Sequence, residues 1–147
     1  MRLSTRARYG VRALLDIAQN SDQGPVPLRD IADRQRLSGH YLENLLVALK
    51  LASLVRSSRG TGGGFILTRS PSQIRLDEVM RVLEGPTALV ECVDHPEMCP
   101  VSRSCAAHTI WEEASNALIK VLQSRTLQDL VDIQKSTGSN STVDRGQ

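Results

Sequence analysis

Aromatic residues are scarce in this 147-residue chain, with only Tyr9, Tyr41, Phe65 and Trp111 present. A core must therefore come from Leu, Val, Ile and Ala, which suits packed helices better than a sheet sandwich. No apolar run approaches the roughly 18 residues of a membrane span, and no apolar segment follows the charged start as it would in a signal peptide. The expectation is a soluble, cytoplasmic protein that does not engage a membrane. The three cysteines are too few, and odd in number, for a disulfide framework, and a reducing compartment disfavours any disulfide. No internal repeat is visible. Neither a nucleophile–base pair nor a cofactor fingerprint supports an enzyme. What remains is a mostly helical chain sized for one domain, or one domain with a dimerisation appendage.

The net charge of +2 conceals an asymmetry. Through Glu84 there are thirteen Lys and Arg against eight Asp and Glu; from Gly85 onward the balance is five against eight. Arg2, Arg6, Arg8 and Arg12 open the chain with no acid among the first twelve residues. This distribution points the N-terminal part toward a polyanion.

Periodicity organises that part. Ser4 is placed to cap a helix over 5–19 with Val11, Leu14, Leu15 and Ala18 on one stripe. After a Gly-, Pro- and Asp-rich break, Pro27 opens a short second helix with Leu28, Ile31 and Ala32 inward. Leu37, Ser38 and Gly39 read as a tight turn, Ser38 capping a third helix whose stripe is Leu42, Leu45, Leu46 and Leu49. His40, Asn44 and Val47 lie opposite, with Glu43 on the flank, so the pair reads as a helix-turn-helix with an outward recognition face. Two β-type runs, 54–58 and 65–68, joined by the glycine-rich segment 59–64, add a hairpin, and the whole is a winged helix. Arg56 and Arg59 on the wing suit phosphates or a narrow minor groove. The glycines are not a nucleotide loop, since no Gly-Lys-Ser/Thr ending or following helix accompanies them.

Leu76, Val79, Met80 and Leu83 mark a fourth helix ended by Gly85 and Pro86. A loop over 85–105 then carries Cys92, Cys99 and Cys105. The longest helical pattern, 106–122, has Ile110, Trp111, Ala114, Leu118, Val121 and Leu122 at three- and four-residue spacing. Its apolar face either meets the same helix of a second chain or folds back on its own domain. Thr126 and Asp129 look like the cap of a last short helix over 127–133, and the composition from Ser136 onward reads as a disordered tail over 136–147. The expected organisation is thus a DNA-binding domain over 1–84, a cysteine loop over 85–105, dimerisation and C-terminal helices over 106–135, and the tail.

The cysteines are separated by six and five residues, with His108 three after the last. These intervals are wider than paired zinc knuckles, but iron–sulfur, zinc through three thiolates and His108, and unligated thiols all remain open on chemistry alone. A cluster of two irons needs four protein ligands, and His108, set at the start of a helix, is a more natural fourth than His95, Asp94 or Glu97.

The opening run from Met1 to Gly10, the Tyr41-Leu42-Glu43 segment, the Arg59-Gly60-Thr61-Gly62-Gly63-Gly64 wing and the cysteine loop resemble the IscR-type iron–sulfur regulators of bacteria, a winged-helix family that includes the nitric-oxide sensor NsrR and the iron regulator RirA. The resemblance runs to about residue 135. It implies a homodimer joined by the long helix, with recognition helices in successive major grooves of a pseudo-palindromic double-stranded DNA operator. It also implies a [2Fe-2S] cluster on Cys92, Cys99, Cys105 and His108. The first cysteine interval is one residue longer than expected for that branch, and the run from Leu89 to Cys92 also looks like branches whose cluster is [4Fe-4S]. Taken with the charge and helix patterns, the expected DNA-facing residues are Arg2, Ser4, Arg8, Ser38, His40, Tyr41, Glu43, Asn44, Arg56, Arg59 and Gly60.

Overall fold

Helices form where the apolar spacing places them. The computed structural model describes residues 2–140. Helix α1 (Thr5–Asn20) is capped by Ser4, whose Oγ accepts from the Ala7 N–H. Its buried face is Ala7, Gly10, Ala13, Leu14 and Ile17, with Val11, Leu15 and Ala18 packed at the margin. The expected stripe of Val11, Leu14, Leu15 and Ala18 is therefore rotated. Small residues face inward because four other helices crowd onto this one.

Helix α2 (Leu28–Gln35) ends at Arg36, which takes the left-handed conformation, and α3 (Gly39–Leu51) follows with Ser38 as its cap. Leu42, Leu45, Leu46 and Leu49 are all buried, as their spacing demands. Each such side chain contributes about 1.5–3 kcal/mol. A polar bond adds direction to this apolar packing. The Asp16 carboxylate, buried on α1, accepts from Arg34 Nη2 at 2.7 Å, Arg34 Nε at 3.0 Å and Gln35 Nε2 at 2.8 Å, which fixes α2 across α1. The hydrogen bond to Asp16, reinforced by its charge, outweighs burial and raises the Arg34 pKa above its usual value.

Strands β1 (Val55–Ser58) and β2 (Gly64–Leu67) pair antiparallel, Val55 opposite Leu67 and Ser58 opposite Gly64. Val26 adds a bridge to Phe65, their N–H groups donating to each other's carbonyls at 2.9 and 2.8 Å. The segment between α1 and α2 thereby anchors the wing. Gly64 is required there, because a Cβ would lie 2.3 Å from the Val26 carbonyl oxygen.

Helix α4 (Leu76–Leu83) closes the core with Val79, Met80 and Leu83. The cysteine segment is less featureless than a plain loop: it contains the single-turn helix α5 (Glu91–Asp94) and 3-10 turns at Pro96–Met98 and Ser102–Ser104. Helix α6 (Ala106–Gln123) then leads outward, and α7 (Leu127–Asn140) returns to the core. Leu127 is fully buried, its N–H donates to the Ile74 carbonyl at 2.8 Å, and the Leu76 N–H donates to the Arg125 carbonyl at 2.9 Å. Helix α7 thus packs on α1. It also continues past Ile133, so the expected tail over 136–147 is helical through Asn140. No proline interrupts it, and the Ser136 and Thr137 hydroxyls donate to the Ile133 carbonyl in place of competing for the chain. The rest of that expected tail lies outside the described residues.

Candidate nucleic-acid interface and cysteine loop

The recognition face is built by burying the opposite side of α3. With four leucines held inward, His40, Glu43, Asn44 and Val47 are exposed on the outer stripe. Ser38 Oγ accepts from the Tyr41 N–H at 3.2 Å and so terminates the helix at the point where the outer stripe begins. Tyr41 is half-buried and meets Tyr9 of α1 edge-on, with ring centroids 6.1 Å apart. Over the Tyr9 ring stand the guanidinium groups of Arg12, at 5.0 Å, and Arg8, at 5.8 Å. One aromatic pair therefore joins the basic start of α1 to the start of the recognition helix. Sequence reasoning missed Tyr9 and Arg12 as part of this face, although the Arg-x-x-x-Arg spacing around Tyr9 on one helix was a usable signal.

The wing is tied to the same unit, since Lys50 Nζ at the end of α3 donates to Ser57 Oγ of β1 at 2.9 Å. Arg56 and Arg59 are exposed beyond it, and Gly60 takes φ +92°, allowing a tight tip. Arg2 and Arg8 are exposed at the beginning of α1. Ser4 is differently placed: its hydroxyl donates to Glu84 and its N–H reaches both Glu84 carboxylate oxygens at 3.3 Å, so both of its donors are engaged within the chain.

The cysteine loop is held by short-range bonds. Ser102, its one buried residue, donates through Oγ to the Pro96 carbonyl at 2.9 Å, and the Ser102 N–H donates to the Cys99 carbonyl at 3.1 Å. One longer tie fixes the loop entrance: Ser115 Oγ on α6 accepts from the Leu89 N–H at 3.0 Å and donates to the Trp111 carbonyl at 2.7 Å. Cys92 sits in α5, Cys99 follows the first 3-10 turn and Cys105 caps α6. All three are free and half-buried. His108, in the first turn of α6, is half-buried, and its Nδ1 is buried without a hydrogen-bond partner. His95, by contrast, is exposed and pairs with Glu97 at 3.3 Å. Among the described residues, no three His, Cys, Asp or Glu side chains are gathered around one metal-sized point. The donor set is thus appropriate in kind, three thiols and an imidazole nitrogen lacking a partner, but not drawn together.

Ile110, Trp111, Leu118 and Val121 remain exposed along α6. Only Leu122, at the far end of the pattern, packs against the core. Among the described residues, no helix is long and apolar enough to cross a membrane.

Comparison with known proteins agrees with this architecture. The Rrf2 family model, described as an iron-dependent transcriptional regulator, matches residues 3–133. The chain is 41% identical over 131 residues to the protein rrf2 of Nitratidesulfovibrio vulgaris, covering 89% of this chain and 87% of that one. It is 39% identical over 135 residues to the HTH-type transcriptional regulator IscR of Cronobacter sakazakii, covering 92% and 83%. The solved structure of CymR, the global cysteine regulator of B. subtilis, superposes with a TM-score of 0.75 at 37% identity, covering 90% of this chain and 98% of that one. IscR and CymR are named as regulators, which matches the lack of any catalytic constellation in the sequence. With the family model running from the start of α1 into α7, the chain belongs to the Rrf2 family of transcriptional regulators.

Proposed function

We propose that this regulator acts in the cytoplasm as a homodimer on a pseudo-palindromic DNA operator, under the control of a [2Fe-2S] cluster held by Cys92, Cys99, Cys105 and His108. The observation that carries the sensor reading is the buried, unpartnered Nδ1 of His108 in the same segment as three free thiols. A buried imidazole nitrogen without a partner costs stability, and ligation is the chemistry that resolves it when the proton sits on Nε2. When bound, such a cluster supplies one-electron redox chemistry and dependence on iron supply. The thiolates are supplied from three different short elements of one loop, so taking up ligands orders the segment that joins α4 to α6. His108, replacing a fourth thiolate, makes the ligand set less negative.

The exposed stripe of Ile110, Trp111, Leu118 and Val121 supports the dimer, because α6 leaves a long apolar face uncovered by its own domain. At the DNA, Asn44 and His40 face the base edges, Glu43 excludes sequences lacking a cytosine amino group to donate to it, and Ser38 and Tyr41 seat the recognition helix. Arg56, Arg59 and the Gly60 tip address the backbone or minor groove, and Arg2 and Arg8 the backbone.

Anaerobic purification with metal and sulfide analysis tests the sensor reading. The expected content is about two irons and two acid-labile sulfides per chain. About four of each would identify a [4Fe-4S] cluster, and stoichiometric zinc without sulfide would overturn the reading. For the dimer, Leu118→Glu is expected to give a monomer by sedimentation, and an unchanged dimer would remove α6 from the interface.

A further inference from the structure

The Ser4–Glu84 contact joins two residues 80 positions apart, one at each boundary of the DNA-binding domain. Ser4 caps α1, accepting from the Ala7 N–H at 3.0 Å, while donating through both its hydroxyl and its N–H to Glu84. Glu84 is the C-cap residue of α4. A carboxylate at that position faces the negative end of its own helix, which is unfavourable; at the start of α1 the same carboxylate meets a positive end. Its place is therefore explained by α1 and not by α4. The Leu83 side chain of α4 also packs directly on the α1 backbone at Gly10, where a Cβ would lie 2.5 Å from Leu83 Cδ1. The start of α1 and the end of α4 are thus joined twice, by the Ser4–Glu84 bonds and by the packing of Leu83 on Gly10.

Each side of this contact leads to a different functional segment. Before and after Ser4 stand the exposed Arg2, Arg6 and Arg8, and directly after Glu84 begins the cysteine segment at Gly85. We propose that Glu84 is a positioning residue for DNA binding: by holding Ser4 it sets Arg2 and Arg8 on the DNA backbone, and it passes any displacement of the cysteine loop to that basic arm. The proposal rests on the DNA face and sensor described above. The contact lies at the surface, between exposed Ser4 and half-buried Glu84, so its loss affects global stability little. Orientation is what it supplies. The other bonds of Ser4 are to α1 itself, its Oγ accepting from the Ala7 N–H and its carbonyl from the Arg8 N–H, so without Glu84 the start of α1 loses its tie to α4, and a chain end tied only to its own helix frays. Ser4 in this arrangement acts through the arm and offers no donor to a phosphate.

The test uses the full-length protein and a duplex of about 30 base pairs, long enough for two half-sites a helical turn apart, selected by the wild type from a random pool. Affinity is measured by fluorescence anisotropy at several KCl concentrations for Glu84→Ala, Glu84→Gln, Arg8→Ala and the Arg8→Ala/Glu84→Ala pair. Arg8→Ala is expected to reduce the slope of log affinity against log salt by about 1, and Glu84→Ala by about 1–2 with a several-fold loss of affinity, because phosphate contacts set that slope. In the double variant the two losses should not add, since both act on one arm. Glu84→Gln, which keeps an acceptor for Ser4, should recover part of the loss. Glu78→Gln, which breaks the Arg69 pair on the same helix, controls for simple destabilisation and should leave the slope alone.

An unchanged slope in Glu84→Ala, additive losses, or tighter binding, as if the carboxylate had been excluding a phosphate from α1, overturns the proposal. No effect of Arg8→Ala on the slope instead refutes the arm itself as a DNA contact, and the proposal falls with it. For the joint, Cys92→Ala is introduced into wild type and into Glu84→Ala. A several-fold change of affinity in the first and almost none in the second is expected. Equal changes in both overturn the joint, and no change in either rejects the sensor reading.

Discussion

Between Ala7 and Leu83 the inward helix positions are filled mostly by buried Leu, Ile, Val and Ala, whereas between Gly85 and Cys105 Ser102 alone is buried. The first region gets its shape from excluding water. Its strands and helices are then locked by bonds that cross the chain, such as Asp16 to Arg34 and Val26 to Phe65. Apart from the Leu89–Ser115 tie at its entrance, the second region is a series of single turns closed by bonds a few residues long, with three unbonded thiols, and the imidazole nitrogen that follows it lacks a partner. The contrast teaches that one chain can hold a scaffold fixed by burial beside a segment held mainly by short-range bonds. On the proposed function, the scaffold would present the DNA contacts in fixed order, and the other segment would respond to a ligand without unfolding it.

Four substitutions break or sharpen this contrast. The largest effect is expected in the scaffold: Leu46→Ala removes a buried side chain under the recognition helix and should cost about 2–5 kcal/mol in chemical denaturation, with DNA binding lost only as far as folding is lost. A cost below a kilocalorie would mean that α3 is not held by its leucines. Next is Asp16→Ala, which leaves Arg34 and Gln35 without their shared acceptor. Because Arg34 is partly exposed and can return to water, the expected loss is about 1–3 kcal/mol, below that for a fully buried pair.

Arg59→Ala is expected to leave stability unchanged and to weaken operator binding by about 1–3 kcal/mol, the worth of a base or narrow-groove contact. Titration calorimetry that showed an unchanged affinity would place the wing tip away from DNA. Smallest of all is the stability change on Cys99→Ala. In iron-free protein it should shift the unfolding free energy by no more than about 0.5 kcal/mol, since the thiol is half-buried and unbonded. The same variant, isolated anaerobically, should lack acid-labile sulfide. A large stability loss without iron would show that the loop is part of the scaffold after all, and would dissolve the distinction.

Much of the scaffold was legible because burial has a period. Ser38 as cap, the four leucines of α3 and the paired wing strands follow from three- and four-residue spacing and from turn chemistry, each of which acts over a few residues. The rotated stripe of α1 was misjudged for a related reason. Periodicity selects the larger apolar side chains, but Ala7, Gly10 and Ala13 face inward because other helices come close there, and closeness is not written in hydropathy.

By itself, the sequence determined where α1 to α4 and α6 are helical, which face of α3 is outward, where the basic arm lies, and that three cysteines and a histidine stand within one short stretch. These are properties of residue type and local spacing. Only the tertiary structure decided that α7 returns to the core and continues through Asn140, that Tyr9 carries two arginines against Tyr41, that His108 Nδ1 is buried without a partner, and that Glu84 holds the cap of α1. Each of these depends on atoms that meet because separate elements pack together. No pattern along the chain encodes a contact between residues 80 positions apart; it exists because two helix ends of opposite polarity were brought face to face by the burial of Leu83 against Gly10.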